Sequence, residues 1–286
     1  IPDNCSEVKM KKNNLRQLWY EELPVVNGWL SMSGSFGAEV MANQGFDSLT
    51  VDMQHGLSDY QDALRTLQSL GQYSATPLTR VSWLDPGLIM KVLDAGFYGV
   101  ICPMINNREQ AQKFVSYSRY PPQGTRSYGP TRALYSIGGD YHSDANNQVI
   151  CLAMIETAEA MRNLEEIVTT PGLDGVYIGP SDLSLGIGNG RFPPGFDREE
   201  PQILDAIKTI LKAAKKAGIR AGIHCGSPEY ASKAINWGFD LVTIGSDSRL
   251  LANAAKNAVS ALRKIINDKG ASEGETPIDT TQGHGY

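Results

Sequence analysis

A (β/α)8 TIM barrel is the fold this sequence predicts, and three observations lead to it. Eight short apolar runs, each with the length of a buried parallel strand, alternate with eight longer runs that carry apolar residues at spacings of three and four. Several longer runs end in Gly followed by a hydrophobic residue, as in Gln44-Gly45-Phe46, Ala95-Gly96-Phe97, Ala217-Gly218-Ile219 and Trp237-Gly238-Phe239. Gly in that place suits the left-handed residue that closes a helix. The 286 residues also have the length of one such barrel. A doubly wound open sheet is the rival, but GSFG at Gly34–Gly37 lacks the spacing of a dinucleotide-binding turn.

In chain order, residues 1–14 are polar and expected to be flexible, and residues 15–269 form one barrel domain. Strands are expected at Val25–Met32, Ser48–Val51, Thr76–Val81, Gly99–Pro103, Val149–Ile155, Gly175–Ile178, Arg220–His224 and Leu241–Ile244. Helices are expected at Phe36–Asn43, Asp59–Leu70, Pro86–Ala95, Arg108–Ser118, Ala158–Thr169, Gln202–Ala217, Pro228–Trp237 and Ser248–Asn267. Two connections are long. Pro121–Asn147 follows the fourth helix. Gly186–Glu199 follows the sixth strand, on the face where a lid would sit. Residues 270–286, rich in Gly, Thr, Ser and acids without periodicity, are expected to be disordered.

The chain is 41% hydrophobic and 20% charged, enough for a large core, with a net charge of −5. Its one basic cluster, Lys9–Lys12, is short and terminal, so no nucleic-acid partner is expected. No apolar run has the length of a membrane span and no signal-peptide pattern appears, so a cytoplasmic protein is expected. Cys102, Cys151 and Cys225 lie in or at the ends of strand-like runs and read as small buried hydrophobes in a reducing compartment.

Chemistry in such a barrel is carried at the C-terminal ends of the strands. Those ends hold Asp52 and His55 after strand 2, Arg80 after strand 3, Glu156 after strand 5, and Gly179, Pro180, Ser181 and Asp182 after strand 6. Glu156 and Asp182 follow two parallel strands joined by a helix, so they can converge as hard oxygen ligands for a divalent metal ion (Mg2+, Mn2+ or Co2+). Helix capping is the plainer role for each of them. Histidine as a residue type titrates near neutral pH, and Asp52 three residues before His55 is expected to orient its ring, a general acid/base pair; a surface histidine is the alternative. Arg80 is a planar donor for an anionic oxygen, or else a structural ion pair. Gly179-Pro180-Ser181 forms a tight turn whose N–H groups suit a carboxylate, or an ordinary loop. His224 reads as pocket lining. Lys91 and Lys113 fall in helices, so no strand-end lysine is placed for a Schiff base.

Five motifs together resemble the HpcH/HpaI aldolases: FDSLTVDMQHG at 46–56, PLTR at 77–80, GTRSYGPTRA at 124–133, IET at 155–157 and GVYIGPSDLS at 175–184. The resemblance runs over about Asn27–Ile266. It implies a metal-dependent pyruvate aldolase on a TIM barrel, often a hexamer built from dimers that exchange the last helix. It further implies Glu156 and Asp182 as metal ligands, His55 paired with Asp52 as acid/base, Arg80 on the pyruvyl oxygen, and the Ser181–Asp182 backbone at the pyruvyl carboxylate. Gln54 and Met154 depart from the Glu and Gln that the family often carries there.

The expected reaction is reversible retro-aldol cleavage of a 4-hydroxy-2-oxoacid to pyruvate and an aldehyde by a homo-oligomer. The rivals are another pyruvate-enolate enzyme (an oxaloacetate decarboxylase, a CoA-thioester lyase or a ring-forming synthase) and a non-catalytic carboxylate-binding protein. Acceptor selectivity is expected from the two long connections and from neighbouring subunits.

Overall fold

The computed structural model describes residues 11–273, with side chains through residue 267. Eight parallel strands pair in sequence order and close on themselves: β1 (Val25–Leu30), β2 (Ser48–Asp52), β3 (Thr76–Arg80), β4 (Gly99–Cys102), β5 (Ile150–Ile155), β6 (Gly175–Ile178), β7 (Arg220–Cys225) and β8 (Leu241–Ser246). All eight lie where the sequence predicts them. The helices Ser35–Ala42, Tyr60–Ser69, Pro86–Ala95, Arg108–Ser118, Pro201–Lys216 and Pro228–Trp237 also follow the expected pattern. Gly96 and Gly238 close two of them at φ +109, a conformation that costs glycine little.

Alternation along each strand divides the core in two. On β5, Ile150, Leu152 and Met154 pack inside the barrel with Trp29, Leu78, Ile101, Tyr177 and Leu241. Their neighbours Cys151, Ala153 and Ile155 face the helices. Cys102, Cys151 and Cys225 are free thiols and buried, as small hydrophobes would be. The inward parity continues past the strand ends, which carries Asp52, Arg80, Glu156 and His224 to the C-terminal mouth.

Residues 11–14, expected to be flexible, are held. Asn13 is buried, and its side chain accepts Leu15 N–H and donates to Gln148 O at 2.7 Å and Tyr98 O at 3.3 Å. It caps an unexpected helix, Asn14–Tyr20, which brings Leu15 and Trp19 to the interior cluster. Trp29 is buried at 3% exposure.

The expected helix Ala158–Thr169 breaks at Asn163 into Ala158–Arg162 and Leu164–Val168, where the Asn163 amide donates to Asn106 O at 2.8 Å. The Pro121–Asn147 connection contains the helices Ala133–Ser136 and Tyr141–Gln148. It leads into the N-terminal end of β5, beside Asn13, and so lies at the end of the barrel opposite to the strand-end carboxylates. Within this chain it does not line the mouth, contrary to the expectation that it selects the acceptor.

Residues up to Asp247 form one compact unit and those from Ser248 a second. The helix Asp247–Glu273 crosses that boundary, and its Leu251, Leu262, Ile265 and Ile266 are exposed. Residues 1–10 and 274–286, with Cys5, His284 and most of the expected tail, lie outside the described residues.

Replacing Asn13 by Ala removes one cap and two tertiary bonds. The expected loss of stability is about 2 kcal/mol, read as a lower midpoint of urea unfolding. An unchanged midpoint would mean that the segment is loose.

Candidate active site

Asp52 ends β2 and Arg80 ends β3, and the register sets the two residues side by side. Arg80 clasps the carboxylate with two bonds, Nε to Oδ1 at 2.8 Å and Nη2 to Oδ2 at 2.6 Å. Trp29 Nε1 donates to Oδ2 at 3.2 Å, and the main-chain N–H groups of Gln54 and His55 donate to Oδ1 at 3.0 and 3.3 Å. Burial pushes the Asp52 carboxyl up, but the bonds and charge of Arg80 outweigh it and hold the group below its ordinary value. The guanidinium rests over the Trp29 ring at 4.9 Å.

This geometry corrects the expected Asp52–His55 pair. Asp52 reaches His55 through its backbone N–H and not through its ring. A forked charged pair outcompetes a single bond to a neutral imidazole, and the β2–β3 register delivers the arginine. The His55 side chain is exposed, in a turn closed by Gly56. A Cβ on Gly56 would come within 2.2 Å of Asp52 O, so only glycine fits there.

Glu156 follows β5 and is buried, and its Oε1 accepts Met104 N–H at 2.8 Å. Met104 has left-handed backbone at φ +57, and no pattern in the sequence marks it as a donor. A Cβ on Gly179 would meet Glu156 Oε2 at 2.7 Å and Met154 Cε at 2.9 Å, so the end of β6 closes directly on this carboxylate. Burial first, and then the charge of Asp182, push the Glu156 carboxyl up to about 7; Met104 N–H and Arg80 oppose the rise. The Glu156 carboxyl thus feels both Arg80 and Asp182 across the mouth.

Gly179, Pro180, Ser181 and Asp182 are not a free turn. They start the helix Pro180–Gly188, with Gly179 at its cap and Pro180 in its first turn. Leu183 N–H bonds Gly179 O at 3.0 Å, so the N–H groups of Ser181 and Asp182 precede the first helical donor and face off the helix end. Gly followed by Pro, with Asn189 left-handed at φ +49 as terminator, was a readable signal for this helix; the run of glycines after it read as loop.

Below the rim a polar chain crosses the barrel interior. Ser48 and Thr50 donate to Asn27 Oδ1, and Asn27 Nδ2 donates to Thr243 Oγ1 at 2.9 Å. Thr243 bonds Tyr177 OH at 2.7 Å, and Tyr177 bonds His224 Nδ1 at 3.2 Å. Trp29 stacks on Tyr177 at 5.7 Å and meets His224 edge-on at 4.9 Å. His224 is therefore wired into the site's floor. Tyr177 carries no signal of this role in the sequence beyond being an inward aromatic on the strand that leads to Asp182.

Glu156 and Asp182 are two hard oxygen donors, and the Glu156 carboxyl is raised by burial and by the charge of Asp182, a chemistry that fits a dication. Among the described residues no group of three or more His, Cys, Asp or Glu side chains gathers to hold a metal.

Asp52→Asn is expected to lower stability near neutral pH by roughly 3–5 kcal/mol, because the buried guanidinium loses its counter-charge. A carboxyl lowered in the folded state stabilises above its ordinary value of 3.8 and loses that effect as the pH falls through the folded value, so the gap to wild type should narrow in acid. Urea unfolding of both proteins at neutral and acid pH checks the size and the sign.

The family model for HpcH/HpaI aldolase/citrate lyase matches residues 28–254. The chain is 40% identical over 253 residues to a hydroxypyruvate/pyruvate aldolase of Rhizorhabdus wittichii, covering 88% of this chain and 100% of that one. It is 37% identical over 236 residues to a 4-hydroxy-2-oxo-heptane-1,7-dioate aldolase of Shigella flexneri, covering 82% of this chain and 86% of the other. A crystal structure of an HpcH/HpaI aldolase/citrate lyase family protein from Burkholderia cenocepacia superposes with a TM-score of 0.81 at 30% identity, over 88% of this chain and 99% of that one. With its barrel, its strand-end carboxylates and these likenesses, the chain belongs to the HpcH/HpaI aldolase/citrate lyase family.

Proposed function

We propose that this enzyme is a carbon–carbon lyase that reversibly cleaves a 4-hydroxy-2-oxoacid to pyruvate and an aldehyde. The observation that carries the reading is the single mouth shared by the Asp52–Arg80 pair, Glu156, and the helix end bearing Asp182. The aldolase names of relatives at 36–40% identity support it.

The substrate's carboxylate is bound by the main-chain N–H groups of Ser181 and Asp182, with Gly179 and Pro180 setting the approach to that helix end. Arg80, with Nε and Nη2 spent on Asp52, offers Nη1 to the 2-oxo oxygen, where negative charge grows as the C3–C4 bond breaks. Asp52 holds the guanidinium in place and acts through it. His55 takes the proton from the 4-hydroxyl, directly or through a water; the C3–C4 bonding pair stays on the pyruvyl half as an enolate, the aldehyde leaves, and C3 of the enolate takes up a proton to give pyruvate. In the reverse direction the proton returns to the new hydroxyl. Glu156 and Asp182 would hold a divalent cation, which supplies Lewis acidity to the 2-oxoacid oxygens when bound. Mg2+, Mn2+ and Co2+ all suit two carboxylates with ligand oxygens completing the shell.

Assembly as a homo-oligomer, a hexamer or trimer of dimers, belongs to the same proposal. The exposed Tyr20, Phe36 and Trp83, and the apolar residues of the last helix, support subunit contacts. No helix among the described residues is long and apolar enough to cross a membrane, and a cytoplasmic location is proposed.

Pyruvate release from a panel of 4-hydroxy-2-oxoacids, with a chelator or with each added cation, tests the reading. Release that needs the cation is expected, and a metal-replete protein that releases no pyruvate would overturn it. His55→Ala should lower kcat about 10²–10⁴-fold while the protein stays folded; kcat within a few-fold of wild type would remove His55 from its role.

A further inference from the structure

The stretch between the helices Pro180–Gly188 and Pro201–Lys216, where a lid was expected, is pinned to the residues that follow β7. Asp197 has left-handed backbone at φ +52. Its Oδ1 accepts Gly226 N–H at 2.6 Å and its Oδ2 accepts the Ser227 hydroxyl at 2.6 Å. One residue on, Arg198 O accepts the Tyr230 hydroxyl at 2.8 Å. Three bonds from one short segment fix the preceding residue, Phe196. Its ring stacks on His224 with centroids 4.4 Å apart and planes 24° apart. His224 meets Trp29, and Trp29 underlies Arg80. An unbroken row of rings therefore runs from this loop to the guanidinium at the site. Phe196 itself is half-buried. The cation beside it, Arg198, is buried and spends Nε and Nη2 on Glu200. The loop thus turns a ring, and not a charge, towards the mouth.

We infer that Phe196 is a specificity-determining residue for the aldehyde half of the substrate, with Asp197 as its positioning residue. The inference rests on the aldolase reading above. On this inference, substrate atoms beyond C4 lie on the β7 side of the mouth, next to the carboxylate-binding helix end after β6, where Phe196 stacks on His224. A flat apolar wall favours short, uncharged aldehydes. A distal carboxylate placed against it would lose water without gaining a partner. Because the wall is pinned, it selects by shape already present before substrate arrives.

The test compares kcat/KM for two 4-hydroxy-2-oxoacids of equal chain length, one ending in a methyl group and one in a carboxylate. Wild type is expected to favour the methyl-ended compound. Phe196→Ala should reduce that preference about tenfold, through a higher KM for the methyl-ended substrate. Asp197→Ala should shift it in the same direction, because the ring loses its anchor. Phe196→Tyr keeps the ring and should keep the preference, which separates the wall from a general effect of mutating the loop. An unchanged preference in both Phe196→Ala and Asp197→Ala, or a wild type that favours the carboxylate-ended compound, would overturn the inference while leaving the aldolase reading in place. A wild type that cleaves neither compound, nor any other in a wider panel, would overturn the reading and this inference with it.

Discussion

The forked ion pair between Asp52 and Arg80 is the constraint on which the rest of the mouth depends. Two buried opposite charges are costly to desolvate, and the cost is offset only when every polar atom finds a partner. Here the carboxylate receives five donors: two from Arg80, one from Trp29, and the main-chain N–H groups of Gln54 and His55. The pair exists because β2 and β3 are in the register that sets residue 52 against residue 80. A slip of one residue in either strand would turn its charged side chain into the helix layer and break the pair. The same pair places one arginine where its charge is felt by Glu156, across the barrel mouth.

From that pair outward, function follows strand parity. The inward positions of β1, β2, β6 and β8 carry Asn27, Ser48, Thr50, Tyr177 and Thr243, a polar chain sealed in the barrel and ending on His224. Buried polar groups of this kind are tolerated because each finds a partner, and in return they fix the orientation of the rings above them. Trp29 belongs to both systems. It donates to Asp52, stacks on Tyr177 and edges His224, so the ion pair and the aromatic row share one indole. The pinned loop at Asp197 extends the row to Phe196. The mouth is rigid on this side, in keeping with a site that works by fixed charges and fixed walls.

Strand positions were legible in the sequence because a fully buried parallel strand is a continuous apolar run, and eight such runs followed by helical periodicity leave few topologies. The strand-end residues Asp52, Arg80, Glu156 and Asp182 could be read for the same reason: a charge directly after an apolar run is brought to the mouth by the fold. What could not be read was pairing across strands. Spacing in sequence suggested that Asp52 serves His55, whereas register gave its carboxylate to Arg80, a residue 28 positions away. The helix Asn14–Tyr20 was hidden because its cap, Asn13, is secured by Gln148 and Tyr98, far along the chain. The helix Pro180–Gly188 was masked by its glycines, and the donation from Met104 to Glu156 by being a backbone contact that leaves no side-chain signature.

In the proposed reaction this mouth stabilises the enolate of pyruvate, with Arg80 at the oxygen where charge develops. The most direct measurement is exchange of the pyruvate methyl protons in D2O, followed by NMR with enzyme and a divalent cation and no aldehyde present. Wild type is expected to exchange them, a chelator to stop the exchange, and Arg80→Gln to slow it severely although the protein still binds the cation. A cation-loaded wild type that binds pyruvate and leaves its methyl protons unexchanged would contradict it.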